Sequence, residues 1–135
     1  MTIFSQEVRI KTKDHIELVN ITSKVNEIVK KSGISDGSVL IYSPHTTSAI
    51  IINEPEYRLE DDIVTTLKKL VPKGAGYKHD RIDNNAHSHI QASLIGASET
   101  IPLIKGNLYL GSWQAIFFAE FDGPRTRTVL VQILS

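Results

Sequence analysis

The sequence contains no cysteine. Disulfides and thiolate metal centres are therefore excluded, and any transition ion must be held by His, Asp or Glu. Neither sign of charge is in surplus: 15 Lys and Arg balance 15 Asp and Glu, for a formal net charge of zero. No basic block breaks that balance, which argues against a nucleic-acid or membrane-surface binder. No apolar run approaches the roughly 18 residues of a membrane span. The N-terminus shows no signal-peptide pattern, so the expectation is a soluble cytoplasmic protein. A Gly-rich phosphate loop is missing too, so side chains would have to grip any phosphate. With no repeat, low-complexity tract or linker, the 135 residues read as a single domain, 1–135, long enough to bury a core.

What is present centres on Tyr77–Gly96, which holds three of the five histidines, His79, His87 and His89. The stretch opens on turn formers, Asp80, Asp83, Asn84 and Asn85, and closes in a helical pattern over 86–97. Asn85 suits the N-cap. Ala86, Ile90, Leu94 and Ala97 make one stripe that should face the core. His89 falls on one flank with Asn85 and the small residues Ala92, Ser93 and Gly96, which leave space for a ligand. His87 falls on the opposite flank with no polar group to work with. His89→Ala is thus expected to abolish activity without harming the fold, and His87→Ala to do neither.

Elsewhere, 2–11 alternates as a strand and 15–21 reads as a second, so a hairpin is expected, with His15 a structural residue at its start. Residues 23–32 are helical, with Gly33 at the C-terminal cap. After the apolar run 39–42 comes Ser43-Pro44-His45-Thr46-Thr47-Ser48, then a buried strand, 49–52. This turn between core strands reads two ways: a rigidly held site, or hydroxyls satisfying local amides. The clearest helix is 56–70, with Leu59, Ile63, Leu67 and Leu70 as its stripe and acids before bases along it. Glu54 fits either a site carboxylate or the helix start. A strand at 100–104 turns back into 108–110. The run 115–118 is apolar on both faces and reads as a central strand, and 127–134 is the last strand. About three helices and strands joined mainly by turns give an α+β fold with a largely antiparallel or mixed sheet.

The segments HTTSAIIINE, YKHD, NAHSHIQASLIGASETIPLIKGNLYLGSWQ and EFDGPRTR resemble the signatures of the YjbQ-like family from residue 36 onward. The resemblance implies an α+β fold, a homotrimer, and a poorly settled function; some members are described as secondary thiamine-phosphate synthases, joining a pyrimidine diphosphate to a thiazole phosphate. His45, Asn53, Glu54, His79, Asn85, His89, Trp113 and Gln114 match family positions, and Ser112 stands where Thr is usual.

Together these readings give an enzyme acting on a small phosphorylated molecule. His45, His89 and Glu54 are its catalytic candidates. Thr46, Thr47, Asn53, Asn85, Trp113, Gln114, Arg125 and Arg127 are the substrate-binding candidates, the arginines for phosphate. His45, His79 and His89 together suit a zinc-like ion, with magnesium accompanying substrate as the other choice of divalent metal. The alternative is a non-catalytic protein that binds a metal or metabolite in the same cavity.

Overall fold

The computed structural model describes residues 1–135. In chain order its elements are β1 (Ile3–Lys11), β2 (Glu17–Asn20), α1 (Thr22–Ser32), β3 (Gly37–Tyr42), β4 (Ser48–Asn53) and α2 (Tyr57–Leu70). A 3₁₀ turn (Lys78–Arg81), α3 (Ala86–Ile95), β5 (Ser98–Ile104), β6 (Asn107–Leu108), β7 (Ala115–Glu120) and β8 (Thr126–Leu134) complete it. The strands form two sheets, ordered β1-β8-β3-β5-β6 and β2-β7-β4. Every pairing is antiparallel. The fold is the expected α+β arrangement with three α-helices.

The alternation of β8 puts Val129, Val131 and Ile133 inward. They meet Val39, Ile41, Ile101 and Leu103 of their own sheet, Ile50, Ile116 and Phe118 of the second, and Val25, Ile28 and Val29 of α1 in one core. β7 is buried along its whole length because it is the middle strand of the smaller sheet, as its two apolar faces require. Its other face, with Ala119 and the following Phe121, packs with Ala49 under α2 and α3 through Leu67 and Ala92. No helix is long and apolar enough to cross a membrane.

Two expectations fail here. β1 and β2 are not a hairpin: β1 pairs with β8, and β2 with β7 in the other sheet. The chain changes sheets at 12–16, and β7 to β8 makes the opposite change beside it. The two crossings are tied by Thr12 N–H donating to the Arg125 carbonyl (3.0 Å) and Gly123 N–H to the His15 carbonyl (3.0 Å). The second failure is the α3 stripe. Its buried face is Ala86, His87, Ser88, Gln91 and Ala92, while Leu94 is 62% exposed and Ile90 is exposed as well. Polar residues can face inward because acceptors wait for them. Ser88 Oγ donates to the Phe121 carbonyl (2.7 Å) and Gln91 Nε2 to the Val71 carbonyl (3.2 Å). Asn85 does not cap this helix with its side chain; Asp80 accepts from Ala86 N–H instead (3.0 Å).

Candidate functional site

The turn before β4 is held from several directions. Ser43 N–H donates to the Ala97 carbonyl (2.8 Å) and Ile50 N–H to the Gly96 carbonyl (3.2 Å), so the end of α3 is fastened alongside. The His45 ring is anchored at Nε2, which lies 3.0 Å from the Thr128 amide nitrogen and 3.1 Å from the Thr128 carbonyl oxygen. Partial burial, reinforced by the nearby Arg127 charge, holds the His45 pKa below its ordinary 6.5. His45 is therefore a neutral imidazole at pH 7.

This anchoring brings His45 and His89 to one groove of about 490 Å³, lined also by Thr46, Ser48, Ala92, Ser93 and Gly96. The groove exists because the residues on this side of α3 are small. Gly96 has φ +102°, and no atom stands within 4 Å of where a Cβ would be, so any larger residue would be strained. A second depression of about 460 Å³ lies on the other side of His89, lined by Tyr77, Lys78, His79, Ala86 and Ile90. His79 meets His89 edge to face, ring centroids 4.8 Å apart. The groove thus offers two imidazoles from different elements, the exposed Thr46 hydroxyl, and the Lys78 ammonium one depression away; the Ser48 hydroxyl is buried against Ser43 and that of Ser93 donates to the His89 carbonyl (2.9 Å). Such a surface can bind an anionic small molecule and exchange protons with it.

Of the three histidines expected to hold a zinc-like ion, His45 and His89 share the groove and His79 packs on His89. Within the single chain no three His, Asp or Glu side chains are grouped tightly enough to hold an ion.

Other expected site residues lie elsewhere. Ser48 opens β4 opposite Glu120 and Asn53 closes it opposite Ala115, a separation of about 17 Å at the usual strand rise. Asn53, Glu54, Trp113 and Gln114 therefore gather at the end away from His45. Trp113 is 74% exposed there, and Gln114 Oε1 accepts from Gly111 N–H (2.8 Å).

Arg127 is not available to phosphate. It is 3% exposed, and its guanidinium is taken up by both carboxylate oxygens of Glu120 and by Thr47 Oγ1. Thr47 is consumed by the same contact and belongs to the framework. Burial pushes the Glu120 carboxyl up, but hydrogen bonds from Arg127, Asp122 N–H and Thr12 outweigh it and hold the pKa low. This network locks the place where both crossings occur. Arg125 is half exposed but paired with Asp122 (3.1 Å), to which Asn85 Nδ2 also donates (2.9 Å). Sequence reasoning missed Tyr77, Lys78 and the Glu120–Arg127 pair. For the pair a signal existed: Arg127 shares the inward parity of Val129, Val131 and Ile133.

Residues 6–135 match the family described as UPF0047 protein YjbQ-like. A UPF0047 protein of Methanothermobacter thermautotrophicus is 48% identical over 98% of this chain and 93% of its own. The UPF0047 protein YugU of Bacillus subtilis is 36% identical over 94% and 96%. Among solved structures, a protein of unknown function from Sulfolobus solfataricus superposes with a TM-score of 0.97 at 41% identity, covering 99% of this chain and 98% of that one. A hypothetical protein from Aeropyrum pernix gives 0.96 at 40% identity, with 98% of each chain covered. The chain belongs to the UPF0047 YjbQ-like family.

Proposed function

We propose that this family member acts on a small phosphorylated molecule in the His45–His89 groove. In the most specific form of the reading, it is a transferase joining a pyrimidine diphosphate to a thiazole phosphate. The observation that supports it is the meeting of His45 and His89, from a strand-tip turn and a helix, over a floor of small residues. Displacement of diphosphate needs positioning and positive charge at the leaving oxygens more than it needs a nucleophile. His89 and Lys78 would supply donors to those oxygens. His45, neutral and held at Nε2, would accept or donate at Nδ1.

A homotrimer belongs to the same proposal. Asn53, Glu54, Trp113 and Gln114 lie too far from His45 to share its ligand within one chain, and a neighbouring copy could bring them to it. Light scattering at micromolar concentration tests this, with a monomer as the contrary result.

The functional test is formation of thiamine phosphate from the two phosphorylated precursors with magnesium. Wild type should turn over, and His45→Ala and His89→Ala should not. Binding of the precursors by wild type without turnover would favour the non-catalytic reading; equal activity in wild type and His89→Ala would remove the groove from the chemistry.

A further inference from the structure

The remaining two histidines meet on the other side of α3. His87 is 3% exposed, and its Nε2 lies 3.4 Å from Nε2 of His15, which belongs to the β1–β2 crossing. His15 is fixed from behind: its Nδ1 is 3.3 Å from the Gly123 carbonyl and 3.9 Å from an Asp122 carboxylate oxygen. Donating the Nδ1 proton to that carbonyl leaves Nε2 of His15 as a lone pair facing His87. Gln91, one turn beyond His87, borders the same cavity of about 230 Å³. Gln91 is fully buried, and its Oε1 has no hydrogen-bond partner, nor has His87 Nδ1.

We propose that His15 and His87 form a two-imidazole site for a divalent transition ion of the zinc class, with Gln91 Oε1 as an adjacent oxygen donor. At 3.4 Å the two Nε2 atoms are within long hydrogen-bonding reach of each other. The same separation can span two ligands of one ion, since nitrogens at roughly 2.0–2.1 Å from a tetrahedral metal stand about 3.3–3.4 Å apart. At His15 the outer partners suit a ligand, since a backbone carbonyl and a carboxylate behind Nδ1 orient a metal-bound imidazole and raise its basicity; His87 Nδ1 has no such partner. Asp122 is itself fixed by Asn85 and Arg125.

Two lysines, Lys68 and Lys73, also line the cavity. Both are exposed, so their ammonium groups can swing into solvent on flexible stems. Asp80 and Asp122 oppose the effect of the Lys73 charge on His87. Water completes the coordination. The site is separate from the groove, which His87 and Gln91 do not border.

The test is titration of metal-free full-length protein with Co²⁺ and Zn²⁺, followed by visible absorption and calorimetry, with ¹⁵N spectra of the imidazole rings. Wild type should bind one ion per chain and shift the Nε2 signals of His15 and His87. His15→Gln changes a half-exposed side chain and should keep the native circular dichroism. It should weaken binding at least about tenfold. His89→Gln should bind as wild type. The proposal is overturned if His15→Gln binds normally, if only the rings of His45, His79 and His89 shift, or if no saturable binding occurs by millimolar ion.

Discussion

His87 and His89 are two residues apart on one helix and live in different surroundings. On the His87 side the polar groups are enclosed: Ser88 Oγ and Gln91 Nε2 are spent on backbone carbonyls, His87 faces His15, and Glu120 and Arg127 saturate each other beyond Phe121, while His87 Nδ1 and Gln91 Oε1 are left unpaired. On the His89 side the residues are small and the surface is open, although Ser48 Oγ pairs with Ser43, Ser93 Oγ donates to the His89 carbonyl and His45 Nε2 is held at Thr128. Enclosure separates the two sides: one builds the architecture, and the other leaves its imidazoles reachable from solvent. The difference also corrects the expectation that His87→Ala would be silent, since a buried imidazole is part of the packing.

Variants on the enclosed side should unfold the protein most readily. Arg127→Met leaves the Glu120 carboxylate buried without its partner, and should cost about 3–5 kcal/mol in urea denaturation. Adding Glu120→Leu should recover part of that loss, because both charges are then gone. His87→Ala should cost about 1–3 kcal/mol and lower the Tm, since it opens a gap and strands its neighbours. A change within 0.3 kcal/mol would break the comparison.

Acid should act through the same groups. Burial, with His15 and Lys73 charge, lowers the His87 pKa, and burial, with Arg127, lowers that of His45, each from 6.5. For a depressed His the folded state binds fewer protons than the unfolded chain. Its contribution is full above 6.5 and is lost as pH falls below it. Glu120, held below 4.5, adds a second loss as pH falls further. Stability should therefore be flat near pH 7–8 and decline below about 6.5, where free His titrates. His87→Ala should show the shallower decline. A smaller effect still is expected on the open side, where His89→Ala should leave the Tm almost unchanged while reducing turnover about 10²–10⁴-fold.

Much of the fold was legible where local pattern and environment agree. β7 reads as central because both faces are apolar, and α1 ends at Gly33, which adopts φ +68° in the left-handed cap. α2 begins at Tyr57 because Glu56 accepts from the amides of Arg58 and Leu59. What failed depended on distant partners. The α3 stripe was drawn through apolar residues, yet the carbonyls of Phe121 and Val71 and the ring of His15 make a polar face the buried one. The supposed β1–β2 hairpin is replaced by pairing with β8 and β7, far away in sequence, as in Ile3 with Leu134 and Glu17 with Glu120. Arg127 was offered to phosphate together with Arg125; strand parity places it inside. His45 and His89 at the groove were legible because the tip of a turn and the small flank of a helix are both local features.

The groove itself is tested most directly by titrating metal-free protein with the pyrimidine diphosphate and thiazole phosphate while following the imidazole ring signals of all five histidines. The account predicts saturable shifts at His45 and His89, a smaller one at His79 through ring contact, and none at His15 or His87. Shifts confined to His15 and His87, or saturating binding that moves no ring at the groove, would contradict it.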